Sequence, residues 1–260
     1  MKPPSIFNIF KNLTRNFFSN TSYMEKLVEK GVTIIDSNST YIDESVSIES
    51  GTIVHPSTYI LGDSEISSNC IIGPNSTISN TKISKKSNIL YSIVLDSIIG
   101  ENSNIGPFSY IRNNSIIENN VEIGNFVEVK ASKIGNYTKS KHLSYLGDIT
   151  IENNVNIGAG FVSANYDGKS KHKSTIKQNS FVGSNSTIVS PVEINKNAII
   201  GAGSVVIDDV SEHSKVVGVP AKKIKPGGDI DNWFYFLFIN IYLFNFNLCF
   251  DKLFFEYIGL

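Results

Sequence analysis

The 260-residue sequence predicts an all-β chain wound as a parallel β-helix, on three observations. First, a branched aliphatic residue recurs every six positions: Ile42, Ile48, Val54, Ile60, Ile66, Ile72 and Ile78. After slips of five, Ile83, Ile89 and Val94 lead into Ile99, Ile105, Ile111, Ile117, Ile123 and Val129, and a third run comprises Ile176, Val182, Ile188, Ile194, Ile200 and Val206. No α-helix has that period, whereas short strands joined by tight corners do. Second, glycine often follows the aliphatic residue, as at Ile72-Gly73, Ile105-Gly106, Ile157-Gly158, Val182-Gly183 and Ile200-Gly201, and small or β-branched residues such as Thr58, Ser76, Ser103, Val127 and Ser186 come later in the hexad. Third, Asn69, Asn75, Asn102, Asn120, Asn154, Asn185 and Asn197 stand near the expected corners, where asparagine tolerates positive φ.

Three segments follow in order. Residues 1–39 form a partly helical lead-in: Ile6, Ile9, Phe10, Leu13 and Phe17 have helical spacing, which resumes at Met24, Leu27 and Val28. Met1 to Met24 contains no acidic residue, so an organelle presequence is the competing reading. Residues 40–226 form the β-helix, three hexads to a triangular coil and on the order of nine coils, each stabilised chiefly by its neighbours. Residues 227–260 form an aromatic-rich apolar extension. Its run from Trp233 to Phe250 approaches the length of a membrane span, while Asn240, Asn245 and Asn247 count against one, leaving membrane contact through this segment as an alternative to packing on the body.

With 23 basic against 24 acidic residues and a net charge of -1, the chain lacks the basic field of a nucleic-acid binder, and a small-molecule partner is favoured. Cys70 and Cys249 fit no redox or zinc spacing, no metal is expected, and the body reads as cytoplasmic. No phosphate-binding glycine loop of the nucleotide-hydrolase or dinucleotide type is present. The outward positions offer no decisive apolar patch.

Function is expected where the hexads break. One break is Ser140 to Asp148, containing His142 and Tyr145; the other is Val162 to Ser174, an expelled polar loop containing Asn165, Tyr166, Asp167, Lys171 and His172. Arg112 and Lys130 each follow an inward aliphatic where most hexads carry a small residue. Cations suit a phosphate, imidazole suits proton transfer near neutral pH, and amides and hydroxyls suit a sugar.

Gly106–Asn114 (GPFSYIRNN), Ile123–Lys130 (IGNFVEVK), Lys141–Asp148 (KHLSYLGD), Asn154–Gly160 (NVNIGAG), Asn165–Lys173 (NYDGKSKHK) and Phe181–Val192 (FVGSNSTIVSPV) together resemble one family. It is the acetyltransferase half of the bacterial bifunctional enzymes that acetylate glucosamine 1-phosphate and then uridylylate the product to UDP-N-acetylglucosamine, a branch of the hexapeptide-repeat transferases. The resemblance runs from about Met24 to Lys225. It implies a left-handed β-helix, a homotrimer with active sites at subunit interfaces, and acetyl-CoA as acyl donor. By motif position it implies His142 as general base, Arg112, Lys130 and Lys171 as sugar-phosphate binders, Tyr145, Asn156, Asn165 and Tyr166 as sugar-positioning residues, and Ala159, Ser184 and Ala202 as the wall of the acetyl-CoA channel.

Two departures qualify it. The family's nucleotide loop does not occur in this sequence, so no uridylyltransferase activity is expected of it, and a separate uridylyltransferase is a candidate partner. Val219 stands where some members carry an arginine for the CoA phosphates, with Lys222, Lys223 and Lys225 nearby. A hexapeptide acyltransferase acting on another amino sugar, and a non-catalytic β-solenoid that scaffolds a nucleotidyltransferase, are the competing readings.

Overall fold

In a computed structural model that describes residues 20–224, the chain is a left-handed parallel β-helix of about ten turns. The presequence segment up to Ser19, the apolar run Trp233 to Phe250 and Lys225 lie outside the described residues. A single helix, α1 (Asn20–Glu29), precedes the coils. Met24 and Leu27 are buried in the same core as Val32 and Val46, closing the first coil, whereas Val28, expected on the apolar stripe, is exposed.

The strands fall on three faces. On the first, Ile53–Val54, Ile71–Ile72, Asn88–Ile89, Asn104–Ile105 and the start of Glu122–Lys130 pair in succession. On the second, Tyr59–Leu61, Thr77–Ser79, Ile93–Leu95, Tyr110–Arg112 and the end of Glu122–Lys130 do the same. The third runs from Ser47–Ile48 to Glu193–Ile194. Apart from the antiparallel hairpin of Lys215–Val217 with Lys222–Lys223, the strand pairs are parallel. Coiling starts at Thr33–Ile34 and continues to Lys215–Val217, which adds a turn to the expected nine.

The hexad aliphatics point inward as the period requires. Val54, Ile72, Ile89, Ile111, Ile117, Ile134, Ile188 and Ile200 are fully buried. Each such side chain contributes about 1.5–3 kcal/mol by leaving water. The small residues of most hexads are buried at the corner, many of their hydroxyls donating to backbone carbonyls, as Ser109 to Gly124 and Ser186 to Gly183, while Ser140 Oγ and Ser214 Oγ are buried without a partner among the described residues. All seven corner asparagines named above adopt φ between 51° and 59°.

The two breaks take different forms. Ser140 to Asp148 breaks the hexad pattern within the solenoid: Lys139–Gly147 is a nine-residue strand bent across a corner and paired along its length with Glu122–Lys130. Its irregularity is internal. Ser140 occupies an inward aliphatic position, in register with Ile123 and Ile157, and Ser163 does so on the second face one turn later, while Phe161 fills a corner position that in most other coils holds Ser or Thr. The expelled loop is also shorter, because Val162–Ala164 and Ser174–Ile176 remain strands and only residues 165–173 leave the coil.

An apolar ridge does exist on the outside. Tyr91, Phe108, Phe126 and Leu143 stack up one corner at φ of 49°, 62°, 59° and 39°, with 41%, 53%, 61% and 64% of their surfaces exposed. The rings of Phe108 and Phe126 lie 5.5 Å apart and nearly parallel. The hexad pattern conceals this ridge because its residues occupy the position where asparagine or glycine turns the corner in other coils.

Candidate active site

On the second face the ladder brings cations together. Arg112 is in register with Lys130, and Lys130 with Gly147, so the three stack at about 4.8 Å per turn. Lys130 is largely buried, its Nζ 3.6 Å from Asp148 Oδ2. Asn165 Nδ2 donates to the same oxygen at 2.5 Å and ties the root of the expelled loop to the coil. The loop returns through an antiparallel bridge between Tyr166 and Lys171, which carries the Lys171 ammonium against that of Lys130. This neighbouring positive charge, aided by burial, lowers the Lys171 pKa from its ordinary value, and Asp148 and Tyr145 only partly oppose it. Two ammonium groups beside one carboxylate leave a surplus positive charge, an arrangement suited to an anion of charge two.

Arg112 points to a different neighbour. Its Nε donates to Glu128 Oε1 at 3.0 Å, Nη2 donates to the same oxygen, and the guanidinium lies 5.1 Å from the centre of the Tyr110 ring. Glu128 and Asp148 therefore belong to the group although spacing alone does not single them out. The available signal was the outward place of Glu128 between Val127 and Val129. Tyr145, in register with Glu128, folds over Gly147: a Cβ there would meet the tyrosine Oη, Cζ and Cε1 at 2.3, 2.4 and 2.5 Å. Only glycine lets this ring lie on the backbone.

A second group follows the corner between the first and second faces. His142 stands there in register with Asn125, and its exposed imidazole makes no hydrogen bond among the described residues. Above it, at the corresponding place of successive coils, come Ala159, Ser184 and Ala202, whose backbone N–H groups donate to no acceptor among the described residues. Gly158, Gly183 and Gly201 precede them, so the groove wall is bare backbone. A Cβ on Gly183 would lie 2.4 Å from Ala202 N. Gly183→Ala is therefore expected to lower stability by about 1–3 kcal/mol, read as a lower thermal midpoint, and an unchanged midpoint would show that the coils can separate there.

Sequence-derived candidates thus divide. Lys130, Lys171, Tyr145 and Asn165 converge around Asp148, with Arg112 one turn below. His142 and the small-residue wall line the corner. Asn156 lies on the first face, exposed and in register with Lys139 and Phe181. Tyr166 is exposed and donates its hydroxyl hydrogen to the loop carbonyl of Gly168. From His142 to Gly147 the strand covers five residues, about 16 Å if extended. Among the described residues no group of His, Cys, Asp and Glu could hold a metal ion, and no helix is long and apolar enough to cross a membrane.

The coiled hexad scaffold thus carries a cationic cluster on one face and a row of bare backbone at its edge, and the chain belongs to the hexapeptide-repeat transferase family. Residues 173–208 match the bacterial transferase hexapeptide family (six repeats), and residues 37–146 match the GMPPB C-terminal domain. Within that class the chain is similar to the bifunctional protein GlmU of Thermosipho africanus, 50% identical over 194 residues, which are 75% of this chain and 43% of that protein. The Clostridioides difficile protein of the same name is 46% identical over 203 residues, 78% of this chain and 44% of the other. The chain spans less than half the length of these curated relatives. Among solved structures, a UDP-N-acetylglucosamine acyltransferase from Bacteroides fragilis aligns at a TM-score of 0.46 and 17% identity, over 83% of this chain and 87% of that one.

Proposed function

We propose that the chain transfers the acetyl group of acetyl-CoA to the amine of glucosamine 1-phosphate, giving N-acetylglucosamine 1-phosphate for UDP-N-acetylglucosamine synthesis. The observation that carries this reading is the enforced meeting of Lys130 and Lys171, whose mutual repulsion a sugar phosphate dianion would relieve. Arg112 adds a third cation, and Tyr145, Asn165, Asn156 and Tyr166 supply the aromatic, amide and hydroxyl groups that hold the sugar. The pantetheine arm lies along Ala159, Ser184 and Ala202, whose free amides match its carbonyls, with Lys222 and Lys223 near the phosphate end.

In this mechanism His142 Nε2 or Nδ1 takes a proton from the sugar amine as its nitrogen attacks the thioester carbonyl. The C–N bond forms, the carbonyl electrons move to oxygen, and the N–H of Ala159, one turn above His142, donates to that oxyanion. Collapse breaks the C–S bond and the thiolate leaves with the proton held by the imidazole. No covalent enzyme intermediate is involved.

The apolar ridge supports a homotrimer. Tyr91, Phe108, Phe126 and Leu143 hold left-handed backbone conformations costing about 1–2 kcal/mol each, with side chains left in water. Docking a second copy there would bury them beside His142 and set the base of one copy against a neighbour.

CoA-thiol release with glucosamine 1-phosphate, compared with glucosamine 6-phosphate, tests the acceptor: turnover requiring the 1-phosphate supports it, and equal turnover or none removes it. The paired lysines give a second result. Because Lys130 depresses the Lys171 pKa, acceptor affinity should decline on the alkaline side at a lower pH than an isolated lysine would give. In Lys130→Met affinity falls at neutral pH and the remaining alkaline decline moves to higher pH. A pH profile of acceptor KM that does not move would show that Lys171 senses no such neighbour.

A further inference from the structure

We propose that Asp167 and His172, which lie outside the acceptor pocket, form a clasp that holds Lys171 against Lys130 and thereby sets the affinity for the phosphate group. The proposal rests on the acceptor reading above. Two like charges do not approach spontaneously; something must oppose about 1 kcal/mol or more of repulsion even in water at such distances. Between residues 166–173 and the body of the β-helix, no side-chain hydrogen bond or ion pair other than the contact of Lys171 with Lys130 occurs among the described residues. The Asp148 carboxylate of the body offsets part of that repulsion, and the rest of the opposing constraint lies within the loop itself.

There the clasp is built around one carboxylate. Asp167 Oδ1 accepts from the backbone N–H groups of Lys169 and Ser170 at 2.7 and 2.6 Å, turning the chain at Gly168, while Oδ2 meets His172 Nε2 at 2.7 Å. His172 N donates to Asn165 O at 2.8 Å, so the residue next to Lys171 is fixed both at the loop tip and at its root. The imidazole contact first, and the two amides after it, hold the Asp167 carboxyl well below the usual carboxylate range. Side chains of residues 167 and 172 close the hairpin, and the bridge of Tyr166 with Lys171 turns that closure into the placement of one ammonium. Asp167 and His172 are thus positioning residues, acting through Lys171.

The test compares wild type, Asp167→Asn, His172→Ala, His172→Gln and the double variant Asp167→Asn/His172→Ala. Loss of the clasp is expected to raise KM for glucosamine 1-phosphate about tenfold, leaving kcat, KM for acetyl-CoA and the thermal midpoint near wild type. The double variant should be no worse than the singles, since both remove one contact. His172→Gln, which can still donate to Asp167, should recover part of the affinity. A KM unchanged in both single variants overturns the clasp, as does a parallel fall in kcat and acetyl-CoA affinity, which marks a general structural role. Calorimetric titration with inorganic phosphate separates this from the acceptor reading. If wild type does not acetylate glucosamine 1-phosphate, that reading fails, yet weaker phosphate binding by Asp167→Asn still supports the clasp and equal binding overturns it.

Discussion

His142→Ala is expected to lower CoA-thiol release by about 10²–10⁴-fold while leaving KM for acetyl-CoA and for glucosamine 1-phosphate nearly unchanged. The ring is exposed, makes no hydrogen bond among the described residues and packs into no core, so its removal should not disturb the coil. The backbone contacts that hold the strand survive, including Ser144 Oγ donating to His142 O at 2.8 Å. A loss confined to kcat identifies a group needed in the transition state rather than for binding. His142→Ala retaining more than about a tenth of wild-type turnover would remove the imidazole from the chemistry, and the base would have to be sought elsewhere.

Phe108→Asp combined with Phe126→Asp should convert a trimer to monomers and abolish turnover. Both side chains are more than half exposed in one chain, so the charges meet water there and the coil is spared. In a trimer they would face an apolar neighbour, where each buried carboxylate costs several kcal/mol. Sedimentation at micromolar concentration reads the oligomer, and the same samples give the activity. If the double variant sediments as wild type does, the ridge is not the contact. If monomers remain active, one chain holds a whole site, and the distance from His142 to the cations must be spanned by its own side chains.

The fold was almost fully legible in the residues. Ile111, Ile117 and Ile188 are buried where the six-residue period places them, because an inward position in a parallel coil favours a branched aliphatic side chain that fills the shared column. The corner asparagines follow equally directly from backbone sterics. The site was legible as motifs but not as a geometry. Lys130 and Lys171 are separated by a turn and an expelled loop, and no local rule announces that two ammonium groups will meet. Ser140 to Asp148 reads as a break in register, yet hydrogen bonding with Glu122–Lys130 keeps it a strand, the irregularity being absorbed by Ser140, Ser163 and Phe161 inside the coil.

By itself the sequence determined the parallel β-helix, its approximate extent, the two segments that carry polar chemistry and the residues to examine there, since period and corner chemistry act between near neighbours. Only the tertiary structure decided that Arg112 is bound by Glu128, that Asp148 sits between Lys130 and Asn165, that Tyr145 lies across Gly147, and that four apolar side chains line one corner. These depend on which residues stack from turn to turn. Stacking is set by the register of whole coils, where each five-residue slip or expelled loop shifts every later neighbour.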